Sequence, residues 1–250
     1  MPLQAPPSSL IVSGVHGPTV VGDGSLAGRR CSLIRLGGCN LSCTWCDSPQ
    51  TWDGSRFNLA AELTERLVKN VVAEALECAP RLVLITGGEP LRQQRREGWA
   101  ALLDALTEAG VEIVVETNGT IAPREHTLQA VHHFHVSPKL AHSGDPAWAR
   151  LPEDLLRGWA QMAAWGRADL TFVVRDAPDL ATVSALVQLH GLPIEQVWIS
   201  AEGVTSGAVV ESARRIAETA LAWGYNVSPR LHVVLWGDAL RPDPELVGFR

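Results

Sequence analysis

The chain has 250 residues, of which 46% are hydrophobic and 19% charged, and its formal net charge at pH 7 is −6. This composition excludes a disordered or fibrous chain and predicts a globular protein built as one large α/β domain or two small ones. Because the net charge is acidic and the 21 Lys and Arg residues are scattered, we expect no binding to nucleic acid.

The N-terminal segment MPLQAPPSSL lacks the basic start and the long apolar run of a secretory signal, and no later stretch reaches the length of a membrane span. We therefore expect a cytoplasmic protein without membrane contact, in which residues 1–10 are flexible. Five cysteines, three of them within eight residues, argue against a disulfide framework and for metal or cluster chemistry in a reducing compartment.

Seven short apolar runs, continuous rather than alternating, predict strands that are buried on both faces. These runs are 31–36, 82–86, 111–117, 134–137, 170–174, 197–200 and 231–236. Helices are predicted at 97–109, 153–164, 179–190 and 206–223. The clearest helix is predicted to begin at the N-cap Asn58 and to run to Ala75. Its apolar stripe comprises Leu59, Leu63, Leu67, Val71 and Ala75, and its supporting ion pairs are Glu62 with Arg66 and Glu65 with Lys69.

The largely alternating order of strands and helices predicts a mostly parallel sheet, which is either open or rolled into a full or partial barrel. Ligands of such sheets bind at the carboxyl ends of the strands. Polar and glycine-containing segments follow the first four predicted strands, at 37–48, 86–90, 116–119 and 137–139. The functional site is therefore predicted at this end of the sheet.

Cys39, Cys43 and Cys46 follow the first of these predicted strands with the spacing C-x3-C-x2-C. An iron–sulfur cube takes one thiolate per iron, so three cysteines leave one iron free to bind another molecule. A structural zinc ion needs four ligands, and here the fourth would have to come from Cys31, Cys78 or a histidine. The compact loop favours the cluster. Cys31 and Cys78 are interpreted as buried structural thiols.

A second motif, TGGEP at 86–90, follows the next predicted strand. Two glycines at a strand end let the backbone approach a ligand closely. Alone, the motif would be only a tight turn.

Together, the two motifs resemble the radical S-adenosylmethionine superfamily. The resemblance implies an α/β fold, a partial (incomplete) TIM-like barrel of mostly parallel strands with flanking helices, formed as a single domain over residues 1–250. It implies a 4Fe-4S cluster whose open iron binds S-adenosylmethionine, and reductive cleavage to a 5′-deoxyadenosyl radical. The cofactor contacts it implies are Trp45, Asp47, Gly88, Glu89, Ser137, Pro138 and Lys139. Without the resemblance, Trp45 could instead be a residue that packs within the loop, and Asp47 could be a residue that caps a turn.

The segments TVVGDGSLAGRRCSLIRLGGCN, CDSP, TGGEP, VETNGT, VSPK and VSPRLHVVLWG resemble one family more closely, that of 7-carboxy-7-deazaguanine synthase. The resemblance implies conversion of 6-carboxy-5,6,7,8-tetrahydropterin to 7-carboxy-7-deazaguanine with loss of ammonia. Hydrogen is abstracted from C6, the bicycle rearranges, hydrogen is returned, and ammonia leaves. S-adenosylmethionine is regenerated, the partner is a reductant such as flavodoxin or ferredoxin, and the protein is a homodimer.

The resemblance also implies a substrate site. Its members are Val21, Gly22, Asp23, Arg35, Thr86 and His232. A guanidinium fork such as that of Arg35 suits a carboxylate. Without the resemblance, Arg35 would be interpreted as a charge at the surface or between strands. His232 would be interpreted as a structural histidine whose hydrogen bonds are satisfied within the fold. Mg²⁺ is implied at the hydroxyl of Ser48, where the family commonly has threonine, and a hard cation prefers such oxygen ligands.

The chain departs from the family pattern at three further places. Val21-Gly22-Asp23-Gly24 stands where the family usually has Gln-Gly-Glu-Gly, Ala201-Glu202-Gly203 replaces Pro-Glu-Gly, and residues 238–250 form a tail beyond the last motif. These changes leave two enzymatic alternatives, a paralogue acting on another pterin and a glycyl-radical activase. A third alternative is a non-catalytic metal-binding or zinc-binding protein.

Overall fold

A computed structural model describes residues 8–237, so the predicted tail at 238–250 lies outside the described residues. Nine strands form one sheet in the order β3-β1-β2-β4-β5-β6-β7-β8-β9. The strands are β1 (Ser9–Val20), β2 (Arg30–Leu36), β3 (Thr64–Leu67), β4 (Leu82–Gly87), β5 (Glu112–Thr117), β6 (His133–Val136), β7 (Ala168–Val174), β8 (Val197–Ala201) and β9 (Asn226–Ser228). From β2 to β9 every pairing is parallel, whereas β1 is antiparallel to both β2 and β3.

Nine α-helices lie in the described residues; most of them connect parallel strands and pack on the outer face of the sheet, whereas α9 follows the last strand. They are α1 (Leu59–Glu62), α2 (Val68–Leu76), α3 (Glu97–Glu108), α4 (Glu125–Ala130), α5 (Ala147–Arg150), α6 (Glu153–Ala164), α7 (Ala177–His190), α8 (Ser206–Ala222) and α9 (Leu231–Trp236). The main core lies between these helices and the sheet, with Trp99, Phe134 and Phe172 among its largest fully buried side chains. Among the described residues, no helix is both long and apolar enough to cross a membrane.

The inner face of the sheet carries a small apolar plug and, above it, polar residues. The plug consists of Val21, Cys31, Leu82, Leu84 and Val114. Because side chains alternate between the two faces of a strand, Leu82 and Leu84 of β4 face the plug, whereas Val83 and Ile85 face the main core. The plug fills the lower interior, as in barrels, and leaves the space at the carboxyl ends of the strands for a ligand.

The sheet is not closed into a barrel: β3 and β9 are its two edges. The link between β1 and β2 crosses to the far strands and braces the open interior. Asp23 accepts a hydrogen bond from Ser200 of β8 at 2.9 Å, Gly24 N donates to Ser228 Oγ of β9 at 2.8 Å, and Ser25 N donates to Asp169 Oδ2 of β7 at 2.7 Å. The predicted partial barrel is thereby confirmed.

The helix predicted from Asn58 to Ala75 is wrong in its middle. Asn58 does cap α1, accepting from Ala60 N at 3.2 Å, but the backbone becomes extended at Leu63. Residues Thr64–Leu67 instead pair with Ser9–Val12 of β1. Strand pairing therefore overrides the local helical pattern. The predicted ion pairs are absent among the described residues, because Arg66 binds Glu74 and Glu65 binds Ser9 and Arg96.

Two further predictions differ from the structure. The apolar run 231–236, predicted as a strand, forms α9, and the last strand is the shorter β9; a short apolar run fits either structure. The flexible segment predicted at 1–10 is wrong for Ser9 and Leu10, which lie in β1, where Leu10 is fully buried. Residues 1–7 lie outside the described residues.

Candidate active site

A cavity of about 590 Å³ opens at the carboxyl ends of β2, β4, β5 and β6. It is the place predicted for a ligand in this topology. Its wall brings together most of the predicted site residues. These are Val21, Gly22, Asp23, Arg35, Cys39, Cys43, Trp45, Cys46, Asp47, Ser48, Thr86, Gly88, Ser137, Lys139 and His232. Glu89 and Pro138 do not line it.

The cysteine loop is fixed to the TGGEP turn by backbone hydrogen bonds. Gly88 N donates to Leu36 O at 3.1 Å, and Glu89 N donates to Gly38 O at 2.8 Å. A Cβ at Gly88 would lie 2.4 Å from Gly38 O and 2.9 Å from Cys39 N. Only glycine permits this approach, so the second motif positions the first.

The donor set of the cysteine loop fits a cluster. Cys39, Cys43 and Cys46 are not in disulfides and line the same cavity. Within residues 8–237, no three His, Cys, Asp or Glu side chains converge as they would on a single metal ion. The three thiolates of a cluster cube would bind separate iron atoms. Trp52 Nε1 donates to Cys46 Sγ at 3.3 Å, and Leu41 N donates to Cys39 Sγ at 3.4 Å; the bond from Leu41 favours the thiolate of Cys39.

Without a cation, burial raises the pKa of Cys39 to about 11 and that of Cys43 to about 12. Bound iron would supply the positive charge that deprotonates both thiols. The two remaining cysteines lie elsewhere. Cys31 is buried in the plug and Cys78 follows α2.

Glu89 supports the turn from beneath. Its buried carboxylate accepts hydrogen bonds from Leu91 N at 2.9 Å, Asn118 N at 2.8 Å and the Thr117 hydroxyl at 2.9 Å. Burial raises the pKa of Glu89 to about 7, although these bonds favour its charged form. The side chain of Glu89 links β4 to β5. It would therefore support cofactor binding indirectly, by holding the TGGEP turn in place.

The ring of Trp45 is contacted by one aromatic and one cationic side chain. Its ring stacks on His142 with centroids 5.4 Å apart, and Lys139 Nζ lies 5.3 Å from its centroid. Asp179 and Glu202 each place a carboxylate oxygen 3.2 Å from a nitrogen of His142. Burial nevertheless lowers the pKa of His142. This support of Trp45 was not predicted from the sequence, because the residues that form it come from distant segments.

An ionic network at the cavity mouth joins the cysteine loop to the C-terminal motif. Arg230, nearly fully buried, binds Asp47 and lies 3.9 Å from Asp23 Oδ2, while His232 Nε2 lies 3.5 Å from Asp47 Oδ2. Burial opposes ionisation of Asp47, but Arg230 and His232 outweigh it and hold the pKa of this carboxyl well below its usual range. The Ser48 hydroxyl donates to Asp47 Oδ1 at 3.3 Å. No role for Arg230 was predicted from the sequence, where it stands within the VSPRLHVVLWG motif.

A polar row crosses the inner face of the sheet from β2 to β7. Arg35 is in register with Thr86, Glu116 with His135, and His135 with Asp169. The Thr86 hydroxyl donates to Glu116 at 2.8 Å. Arg35 lines the cavity and makes no hydrogen bond or ion pair within 4.0 Å with a described residue, and its charge contributes to the lowered pKa of Asp47. His135 was missed because a histidine inside an apolar run is usually a structural group.

The Radical SAM superfamily model matches residues 33–139. The 7-carboxy-7-deazaguanine synthase of Pyrobaculum aerophilum is 34% identical over 224 residues, 87% of this chain and 91% of the relative. The chain belongs to the 7-carboxy-7-deazaguanine synthase family. The synthase of Halobacterium salinarum is also 34% identical, with 87% of each chain covered.

A solved structure, that of QueE from Escherichia coli, has the same fold, with a TM-score of 0.66, 22% identity and coverage of 90% of this chain and 95% of that one. As a radical S-adenosylmethionine enzyme of the 7-carboxy-7-deazaguanine synthase family, the protein uses a 4Fe-4S cluster and S-adenosylmethionine, and acts on a small molecule with the help of a reductant.

Proposed function

We propose that this protein converts 6-carboxy-5,6,7,8-tetrahydropterin to 7-carboxy-7-deazaguanine with loss of ammonia. The observation that supports this most directly is that one cavity is lined by the three cysteines and by Arg35. The substrate has a carboxylate and a fused polar ring, so it needs a cation and hydrogen-bonding groups beside the radical source.

The cofactors would occupy the side of the cavity formed by the cysteine loop. Cys39, Cys43 and Cys46 would hold the cluster. S-adenosylmethionine would contact Trp45, Asp47, Gly88, Ser137, Pro138 and Lys139, with Glu89 supporting the turn. When bound, the two cofactors supply a 5′-deoxyadenosyl radical for hydrogen abstraction from the substrate.

The substrate would lie over the polar row. Arg35 would bind its carboxylate, Thr86 and His232 would contact its polar atoms, and the segment 21–23 would border it. Asp23 already accepts from Ser200, so it would act in part through the network with Arg230. Val21 packs into the plug and would offer an apolar surface where the family usually has an amide.

Mg²⁺ would be held at Ser48. The hydroxyl of this residue is buried beside the Asp47 carboxylate, and such oxygen donors suit a hard cation that keeps several of its waters. The cation would neutralise substrate oxygens. We also propose a flavodoxin or ferredoxin as the reductant, a homodimer, no nucleic-acid partner and a cytoplasmic location; the first two rest on the family resemblance.

The test is an anaerobic assay of reconstituted protein with 6-carboxy-5,6,7,8-tetrahydropterin, S-adenosylmethionine, Mg²⁺ and dithionite, followed by mass spectrometry. We expect the deazaguanine product in many turnovers per S-adenosylmethionine consumed. Release of 5′-deoxyadenosine without product would overturn the proposed substrate and support another radical reaction, such as one on a different pterin.

Replacing Arg35 with lysine is expected to raise KM for the pterin about 10- to 100-fold, because a point charge replaces a fork that binds a carboxylate through two bonds. A hydrogen bond to a charged group contributes about 1.5–3 kcal/mol. The measurement is steady-state kinetics at saturating S-adenosylmethionine. The control is Arg157→Lys on the exposed face of α6, which should leave KM unchanged. An unaltered KM in the Arg35 variant would refute the assignment.

A further inference from the structure

A buried histidine–aspartate pair lies in the floor of the cavity. It has no part in the binding of cofactors or substrate proposed above. His135 Nδ1 and Asp169 Oδ1 are 2.7 Å apart, on adjacent positions of β6 and β7. Asp169 is fully buried and also accepts from Ser25 N. The His135 ring borders the cavity, whereas the carboxylate behind it does not.

The surroundings of this pair fix the orientation of the ring. Gly24 packs directly on it, since a Cβ there would lie 2.2 Å from His135 Cε1. His133, two residues earlier on the same strand, lies 3.7 Å from the other oxygen of Asp169. With Nδ1 held by Asp169, the Nε2 atom is the one left for a ligand, and no described residue forms a hydrogen bond with it.

A carboxylate also lines the floor of the cavity beside His135. Glu116 is in register with His135 on the neighbouring strand β5, and it accepts a hydrogen bond from Thr86 at 2.8 Å. Glu116 and His135 both border the cavity. An acid and a base are thus placed side by side beneath the space proposed for the pterin.

We propose that His135 is the general acid for the loss of ammonia, with Asp169 as its positioning residue and Glu116 as the base. This assignment rests on the proposed function. In the step, the carbon–nitrogen bond of the rearranged intermediate breaks and its electron pair goes to nitrogen. His135 gives a proton to that nitrogen, Glu116 takes a proton from the adjacent carbon, and the carbon–carbon double bond of the new ring forms. Solvent then returns a proton to His135 and removes one from Glu116.

The electrostatics agree with the role of an acid. Burial disfavours the charged ring, but the charges of Asp169, Glu116 and Asp23 outweigh it and raise the pKa of His135 to about 9. The imidazolium is therefore the form present at neutral pH. Because an acid must be protonated to act, the ammonia-loss step should slow as the pH rises through about 9.

The experiment compares His135→Asn with wild-type protein under the anaerobic assay conditions. The rearrangement precedes ammonia loss, so a blocked elimination should accumulate an isomer with the mass of the substrate and a different retention time. We expect this isomer to build up in the variant, with product formation slowed about 100-fold, within the usual contribution of a general acid. Asparagine can still donate to Asp169, which protects the fold.

Asp169→Asn provides an independent measurement. Without its charge, the pH at which the ratio of product to isomer falls should move from about 9 towards 6.5, the ordinary pKa of histidine. His126→Asn is the matched control, because His126 forms an exposed pair with Asp104 on α4 and α3; it should change neither the ratio nor its pH dependence.

The possible failures are distinguishable. No product from the wild-type protein would refute the proposed function itself. The assignment of His135 would be overturned if His135→Asn formed product at the wild-type rate without accumulating the isomer. It would also be overturned if the ratio of product to isomer fell at the same pH in Asp169→Asn as in the wild-type protein. Either result would leave the synthase activity intact.

Discussion

Replacing Cys43 with alanine is expected to abolish both the cluster and catalysis. Cys43 is nearly buried and lines the cavity beside Cys39 and Cys46. With one of three thiolates gone, an iron atom of the cube loses its only protein ligand, and neither Cys31 nor Cys78 is placed to replace it. The measurement is iron and acid-labile sulfide per chain after anaerobic reconstitution, together with reductive cleavage of S-adenosylmethionine.

Cys78→Ala is the matched control, because Cys78 lies in the turn after α2, outside the cavity. It should retain full iron content and cleavage activity. Wild-type iron and activity in the Cys43 variant would contradict the cluster assignment, and stoichiometric zinc in wild-type protein would support the non-catalytic alternative.

Replacing Arg230 with methionine is expected to cost about 3 kcal/mol of folding free energy, the lower end of the range for breaking a buried ion pair. The estimate is at the low end because Asp47 keeps a side-chain exposure of 35%, whereas Arg230 has 4%. The loss of charge compensation would leave the Asp47 and Asp23 carboxylates without the guanidinium that lies near both of them. Urea unfolding of the apoprotein under reducing conditions measures this change.

Two companion variants make the Arg230 result specific. Arg215→Met removes an exposed pair with Glu211 on α8 and should change stability by less than about 1 kcal/mol. The double variant Arg230→Met with Asp47→Asn should recover part of the loss, because the uncompensated carboxylate is removed as well. Equal stability of the single and double variants would show that Arg230 acts by packing rather than through Asp47.

The sequence predicted the parts of this molecule that depend on nearby residues. Six strands of the parallel sheet, most of the helices and both loop motifs are local patterns, and the structure has them, but β1, β3 and β9 were not predicted as strands. The helix predicted through Leu63 and Leu67 failed because pairing with β1, more than 50 residues away, decides that segment. The run 231–236 failed because six apolar residues carry no period long enough to separate a strand from a helix.

The same division holds within the site. Cys39, Cys43 and Cys46 come from one loop, and their spacing alone indicated cluster chemistry. Arg230 and His135 acquire their roles from partners that only the fold provides. Arg230 is 183 residues from Asp47, and His135 is 34 residues from Asp169. No local pattern distinguishes such residues from ordinary structural ones.

An unclosed sheet has two rims where backbone groups could recruit another chain and start aggregation. Here both rims are short: β3 has four residues and β9 has three. Glu65 and Arg66 place opposite charges on the first rim, and Pro229, which has no N–H to donate, directly follows the second. The protein can therefore keep an interior wide enough for two ligands without exposing a template for intermolecular β-pairing.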